Sequence, residues 1–361
     1  MLPHCQTAGE IAMLRHIFNT VATAFLAMAI AVRLGLPAPQ IAMVCVFIVM
    51  QPQARQVFAK GYHRMLGTVG GALAAWAMAA LFPQSPAHLL LAVGVWVALL
   101  TAIAAFHSQL TAYAFLLTGY TPILIAIPMA LDAGHVAASA ASRMAEVALG
   151  IVCASAVAYA GSRWPRKGAR SNLQPAAPPS PPARPASPAL PAQAASASLA
   201  GLHPAIAMAA MGTLWLATSW RGGPMATLNA TVNCALVALA AQPVRAALQM
   251  TWGTLLAVAA GLALQLSYPQ LPVSPYLLYA PALALGAWMT GRPESLAQGL
   301  GYSITLCMLG YPGGSLVGGG GAGDAGGGQF LYDAAGLALS VLVQTAVCAV
   351  LWPLRHRTVP T

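Results

Sequence analysis

Long apolar runs alternate with short polar breaks along most of the chain. Most runs have the 17–25 residues that a helix needs to cross a bilayer. The pattern therefore predicts an all-α polytopic membrane protein with about twelve transmembrane helices. We place the runs at 17–36, 39–51, 65–82, 87–106, 110–130, 143–161, 204–220, 224–241, 246–268, 275–290, 295–311 and 331–353.

A segment without apolar periodicity separates the first six runs from the last six. It is rich in Pro, Ala and Ser, a composition typical of an extended linker. We divide the chain into a first six-helix half at 1–164, a cytoplasmic linker at 165–203 and a second six-helix half at 204–361. A glycine-rich stretch, Gly313 to Gly328, precedes the last run. It lacks the pattern of a phosphate-binding loop and is predicted to be an exposed loop.

Short landmarks recur in the same order in both halves. Each match is weak alone, but their common order predicts two repeated six-helix halves. The pairs are Gln51-Pro52 with Gln242-Pro243, Gly67-Thr68 with Gly253-Thr254, Gly119-Tyr120-Thr121-Pro122 with Gly310-Tyr311-Pro312, Trp164-Pro165 with Trp352-Pro353, and the lone arginines Arg33 and Arg221.

Composition supports the membrane assignment. The chain is 59% hydrophobic and 6% charged, whereas about a quarter of the residues of a soluble domain are charged. An N-terminus in the cytoplasm puts thirteen of the sixteen Lys and Arg residues inside and leaves only Arg33, Arg143 and Arg221 near the other face. This bias predicts that both termini are cytoplasmic. It also explains the net charge of +10, since basic cytoplasmic loops lie beside anionic lipid headgroups, and no nucleic-acid partner is needed to explain it.

The six cysteines show no paired spacing for a metal site or a disulfide framework, so we expect small apolar fillers and no metal or other cofactor. The histidines are scattered, and no nucleophile with a base is visible, which disfavours an enzyme. The first run follows Arg15 as a signal peptide would, but the repeat gives it a counterpart deep in the chain and argues against cleavage.

Several motifs resemble one family of bacterial inner-membrane proteins, the fusaric acid resistance and aromatic acid exporters. The resemblance rests on His63-Arg64 followed by Gly67-Thr68-Val69-Gly70-Gly71-Ala72, on Tyr113 to Thr121, on Arg143 with Glu146 to Gly150, and on Trp220-Arg221-Gly222-Gly223. It implies export of aromatic carboxylic acids or related toxic compounds, driven by protons, with a periplasmic adaptor (membrane fusion) protein and an outer-membrane channel. Long members carry a soluble region between the halves, and this chain has only the linker.

An aromatic carboxylate needs a cation for its charge and a flat apolar face for its ring. Arg64 and Arg245 are predicted at the entry side, and Arg33, Arg143 and Arg221 at the release side. Interfacial snorkelling is the competing interpretation for these arginines. Two aromatic candidates, Trp76 and Trp96, lie near the middle of their runs, where helix packing is the alternative to ring stacking.

Acidic side chains inside a membrane are candidates for proton coupling. Glu146 lies three residues after Arg143 on one helix face, and Asp333 has a similar place in the last run. Their alternative role is to anchor helices or to face water. Tyr120 with Pro122 and Tyr311 with Pro312 are predicted to interrupt helices at a transport site.

Two functions remain open at this point. The first is an efflux transporter for aromatic acids. The second is an anion channel that passes organic acids, since plant malate channels are distant relatives of the family in fold and a basic pore needs no coupling carboxylate.

Overall fold

The computed structural model describes residues 3–51, 54–82, 85–107, 109–131, 136–163, 190–267, 275–309 and 327–358. These residues form twelve α-helices, and no strand occurs among them. In chain order they are α1 (Pro3–Arg33), α2 (Gln40–Val49), α3 (Ala54–Leu81), α4 (Pro86–Ala104), α5 (Gln109–Leu131), α6 (Val136–Arg163), α7 (Leu190–Thr218), α8 (Gly223–Ala238), α9 (Pro243–Ser267), α10 (Pro275–Thr290), α11 (Leu296–Leu309) and α12 (Gly327–Thr358).

Eight helices in the described part of the chain are long and apolar enough to cross a membrane. They are α1, α3, α4, α5, α6, α7, α9 and α12, and two shorter apolar helices match α2 and most of α10. Large apolar side chains cover their outward faces, such as Leu73, Val95 and Val350, each more than 60% exposed. Such a surface suits lipid. The all-helical membrane class is therefore confirmed, while the number of twelve spans stays a prediction.

Four helices begin well before the predicted runs. The first run is predicted from 17, but α1 begins at Pro3. The third run is predicted from 65, but α3 begins at Ala54. Its charged first turns can be helical because Arg55 reaches the surface. The sixth helix, α6, begins at Val136 and not at 143. The linker was extended to 203, but α7 begins at Leu190, since its first turns are rich in Ala, a strong helix former.

The helix interruption predicted at Tyr120 to Pro122 is also wrong. α5 runs from Gln109 to Leu131 without a break. Pro122 has no N–H and so frees the carbonyl of Thr118 one turn earlier. Trp96 on α4 donates its Nε1–H to that carbonyl oxygen at 3.0 Å, which compensates for the lost helical bond. The counterpart at Tyr311 and Pro312, the glycine-rich stretch and the linker before Leu190 lie outside the described residues.

The short helices α2 and α8 form the centre of the molecule. All but one residue of α2 is buried, and so are nearly all residues of α8. α2 contacts α1, α3 and α6 of its own half and α11 of the other half. α8 contacts α7, α9 and α12 of its own half and α5 of the other. Each short helix is therefore surrounded by protein on several sides.

Glycines allow two pairs of long helices to approach closely. A Cβ at Gly67 on α3 would overlap the side chain of Leu117 and the carbonyl oxygen of Ala114 on α5. A Cβ at Gly253 on α9 would overlap the backbone of Gln298 on α11. Small residues at such crossings are typical of helix packing in membranes.

Candidate functional site

The Arg64 guanidinium is buried where α2, α3 and α5 meet. Arg64 lies ten residues into α3, about 15 Å from its first residue, and is 5% exposed. It shares a helix face with Gly67, Thr68 and Gly71, which are also buried. These positions follow the i, i+3, i+4, i+7 spacing of one face. Arg64 therefore points into the bundle, and its place at the entry side stays a prediction.

Two neighbours hold the guanidinium in place. Its Nε donates to the Cys45 Sγ on α2 at 3.0 Å. Its Nη1 donates to the Tyr113 hydroxyl on α5 at 3.0 Å. The buried Tyr120, one of the predicted substrate-binding residues, also interacts electrostatically with this charge.

No carboxylate in the described part of the chain pairs with Arg64. A second cation, Lys60, lies one turn earlier on α3. Its Nζ is 5.8 Å from the centroid of the Tyr113 ring. A buried charge without a counter-charge is costly. The arrangement of Lys60, Arg64 and two tyrosines is thus suited to receive an anion that carries an aromatic ring. We call it the Arg64 site.

A buried ion pair lies next to the start of α2. The Arg143 Nη1 is 3.2 Å from the Glu146 Oε2, and their side chains are 7% and 1% exposed. The second carboxylate oxygen, Oε1, accepts a hydrogen bond from the Ala38 backbone N–H at 2.8 Å. The predicted pairing of Arg143 with Glu146 is therefore present in the structure, and the pair is linked to the start of α2.

Part of this ion pair has no hydrogen-bond partner among the described residues. Arg143 Nε, Arg143 Nη1 and Glu146 Oε2 are buried without a hydrogen bond, so Arg143 and Glu146 attract each other only by charge. The amide oxygen of buried Gln40, in the first turn of α2, lacks a partner as well. Buried polar atoms of this kind are where a water or a ligand binds.

Asp333 occupies a comparable place in the second half. It is 5% exposed, and its Oδ1 accepts a hydrogen bond from the Gln329 Nε2 at 3.0 Å. Its neighbours on α12, Tyr332 and Gly336, both approach Gly222 immediately before α8. Asp333 thus lies at the start of α8, as Glu146 lies at the start of α2.

The other predicted residues are not brought to these sites. Arg33, Arg221 and Arg245 are exposed, and Trp76 is 58% exposed on the outward face of α3. Trp96 is half-buried and bonded to the backbone of α5, which supports packing over ring stacking. Tyr311 lies outside the described residues.

Sequence reasoning missed Lys60, Tyr113 and Cys45. From the sequence, Lys60 is only one of the thirteen inside cations, and Cys45 is predicted to be an apolar filler. Cys45 instead accepts from Arg64 and donates its S–H to the Val147 carbonyl oxygen at 3.4 Å. The spacing from Arg64 to Gly67 and Gly71 was the available signal, because closely packed glycines mark a buried helix face.

A helical membrane protein with a buried cation site and a buried ion pair has the features of a membrane transport protein. Comparison with known proteins names the family. The sequence profile of the fusaric acid resistance protein family matches residues 13–176 and again 166–359. The chain belongs to this family, and the resemblance found in the sequence is confirmed.

Individual relatives support a transport role. The chain is 38% identical over 103 residues to the fusaric acid resistance protein FusC of Burkholderia cepacia, covering 28% of this chain and 30% of FusC. It is 35% identical over 137 residues to the uncharacterized transporter YdhK of Escherichia coli K12, covering 37% of this chain and 20% of YdhK. It is 29% identical over 104 residues to the p-hydroxybenzoic acid efflux pump subunit AaeB of Edwardsiella tarda, covering 29% of this chain and 16% of AaeB.

The chain therefore matches less than a third of the length of each of these relatives. No solved structure matches it.

Proposed function

We propose that this protein exports aromatic carboxylic acids, or related toxic compounds, across the bacterial inner membrane. The observation that carries the proposal is the buried Arg64 guanidinium, which lies among tyrosines and has no carboxylate partner in the described part of the chain. An anionic substrate supplies the missing negative charge. The names of two relatives, a fusaric acid resistance protein and a p-hydroxybenzoic acid efflux pump subunit, point to the same substrate class.

Each residue of the Arg64 site has a role in this proposal. The planar guanidinium binds the substrate carboxylate, replacing the contacts to Cys45 or Tyr113. The rings of Tyr113 and Tyr120 pack against the aromatic ring of the substrate. Lys60, nearer the start of α3, attracts the anion into the site.

Arg143 and Glu146 are proposed to couple export to proton entry. Arg143 has nitrogen atoms without hydrogen-bond partners among the described residues, so a carboxylate leaving Arg64 has a second cation to meet. When that carboxylate displaces Glu146, the freed glutamate takes up a proton from the periplasm. Asp333 is the second candidate for this step.

The proposed topology has twelve spans in two repeated halves, with both termini in the cytoplasm. Two successive matches of one family profile support the repeat. The helix contacts support it too, since α3 packs on α5 and α6 as α9 packs on α11 and α12. The glycine crossings agree: Gly67 faces Ala114 and Thr118, and Gly253 faces Gln298 and Tyr302, also four residues apart. Because six is an even number of spans, the two halves would have the same orientation in the membrane.

A periplasmic adaptor protein and an outer-membrane channel are the proposed partners. Support comes from the description of one relative as a pump subunit. Pull-down of the tagged chain from membranes, followed by identification of bound periplasmic proteins, tests this assembly. A chain that exports substrate from whole cells in a strain without any adaptor would refute it.

Counterflow in liposomes tests the transport mechanism. Vesicles containing purified protein are loaded with unlabelled p-hydroxybenzoate and diluted into a trace of the labelled compound. An exporter that works as a carrier accumulates label transiently above equilibrium, whereas an anion channel only equilibrates it. The neutral p-hydroxybenzamide should give much weaker counterflow, because it lacks the charge that Arg64 requires.

A further inference from the structure

α2 touches both charged sites of the first half. Cys45, on this helix, bonds to Arg64 of α3, and Ala38, just before the helix, bonds to Glu146 of α6. The two contacts are seven residues apart along the chain, about 10 Å at the rise of a helix. We propose that α2 transmits substrate binding at Arg64 to the Arg143–Glu146 pair, and that Cys45 is the positioning residue of this link. This inference rests on the proposed carrier function.

Cys45 connects two helices through a single sulfur atom. It accepts the Arg64 Nε–H at 3.0 Å and donates its own proton to the Val147 carbonyl oxygen at 3.4 Å. Val147 directly follows Glu146 in α6. The residue that holds the guanidinium is therefore also bonded to the backbone that carries the coupling carboxylate.

α2 packs closely on α6. Gly150 of α6 lies against the Ala42 carbonyl oxygen and the Cys45 Cβ, with no room for a side chain at that position. Small movements of closely packed helices along each other are a known form of conformational change. A small shift of α2 along α6 would break the two hydrogen bonds that join them, from Cys45 to Val147 and from Ala38 to Glu146.

The order of events follows from these contacts. A substrate carboxylate that binds Arg64 competes with Cys45 for the guanidinium N–H groups. Release of Cys45 frees the middle of α2 from α3. A shift of α2 then withdraws the Ala38 N–H from Glu146, whose carboxylate loses one of its two stabilising partners. Loss of a hydrogen bond to the charged form favours protonation of the glutamate.

The described residues of the second half do not form this link at the corresponding position of α9. On α9, Met250 stands three residues before Gly253, as Arg64 stands three residues before Gly67 on α3. Met250 carries no charge. Its neighbour is the Gln344 amide, with a distance of 3.8 Å from Nε2 to the sulfur atom. The proposed transmission is accordingly confined to the first half.

Two substitutions at Cys45 test the proposal in full-length protein reconstituted into liposomes. Cys45→Ala removes both hydrogen bonds, whereas Cys45→Ser keeps a donor and an acceptor. The matched control is Cys234→Ala on α8, because Cys234 is as completely buried as Cys45. Two rates are measured with labelled p-hydroxybenzoate: counterflow without a pH gradient, and uptake driven by an imposed pH gradient.

We expect Cys45→Ala to lower the ratio of driven accumulation to counterflow at least tenfold, since Arg64 can still bind substrate but its link to α6 through Cys45 is lost. Cys45→Ser and Cys234→Ala should both behave as the wild type. An equal loss of counterflow and driven uptake in Cys45→Ala, or full coupling in that variant, overturns the role of α2. Absence of counterflow in the wild type overturns the proposed carrier function itself, which separates the two failures.

Discussion

Arg64 is a buried cation whose nearest described partners are a thiol and phenols, not a carboxylate. Residues in this state are costly for stability and are therefore informative about function. The exposed arginines at 33, 221 and 245 carry the same charge in water, where an ion contact contributes little. Burial thus separates Arg64 from three of the other arginines proposed from the sequence. The fourth, Arg143, is also buried but has Glu146 as its partner.

The first prediction compares Arg64 with Arg245. Arg64→Met should weaken binding of p-hydroxybenzoate by about 1.5–3 kcal/mol, or roughly 10- to 150-fold, the contribution of a hydrogen bond to a charged group. Binding of the neutral amide should change little. Arg245→Met removes the same charge from an exposed position and serves as the control. KM values from counterflow provide the measurement, and a similar loss for both ligands in Arg64→Met would assign Arg64 a purely structural role.

The second prediction concerns Glu146. Glu146→Gln keeps an oxygen for the Ala38 N–H but cannot release a proton, so gradient-driven export should be abolished while counterflow persists. Glu10→Gln changes an exposed carboxylate and should have no effect. A Gln variant that still concentrates substrate against its gradient would make Glu146 a structural residue. Asp333→Asn would then be the next variant to measure.

Sequence reasoning found Arg64, Arg143 and Glu146, but it missed Lys60 and the contacts that Arg64 makes. Arg143 and Glu146 were predicted as a pair because a spacing of three residues on one helix is local information. The contact of Arg64 with Tyr113 joins residues 49 positions apart, and that with Cys45 joins residues 19 apart. Such contacts depend on how α2, α3 and α5 pack, which hydropathy does not specify.

At the scale of the helices, close packing at glycines holds the long helices together. The helices were predicted well where apolar runs are uninterrupted, as in α4 and α10. They were misplaced where charged or Ala-rich residues extend a helix beyond its apolar part, as in α3 and α7. Hydropathy reports the part of a helix inside lipid, whereas the helix itself ends where backbone hydrogen bonds end.

The third prediction tests these crossings. Gly253→Ala should lower the stability of the purified protein by about 1–3 kcal/mol, because the new methyl group meets the backbone of α11 and no flexible side chain. Gly67→Ala should be destabilising for the same reason. Gly212→Ala is the control, since its nearest side-chain atoms, on Thr227 and Leu90, are 3.9 and 4.0 Å away. That variant should be neutral or more stable, as Ala favours helix.

Thermal unfolding in detergent, followed by tryptophan fluorescence, measures all three variants. Equal unfolding midpoints for Gly253→Ala and Gly212→Ala would show that a methyl group fits where α9 crosses α11.

At the scale of the whole molecule, the two halves share their helix contacts but differ in charge. The first half buries Arg64, Arg143 and Glu146, whereas Asp333 is the buried charged residue described in the second half. Buried polar groups of the second half are mostly uncharged, as in the hydrogen bond from Asn229 to Ser340. This division suggests that the first half binds and couples while the second half supports it, provided that both halves face the same way.

The last prediction tests that common orientation. The proposed six spans in each half would put the N-terminus, the linker and the C-terminus on one side, and the bias of thirteen cations to that side predicts that it is the cytoplasm. In a background without native cysteines, Ser187→Cys in the linker should resist a membrane-impermeant maleimide applied to intact cells whose outer membrane has been made permeable. Ser315→Cys in the glycine-rich stretch should react, and disruption of the inner membrane should expose Ser187→Cys as an internal control. Labelling of the linker but not of the glycine-rich stretch would show that the orientation in the membrane is opposite to the predicted one. Labelling of both from outside would place an even number of spans between them, and the second half could not then have six spans in parallel with the first.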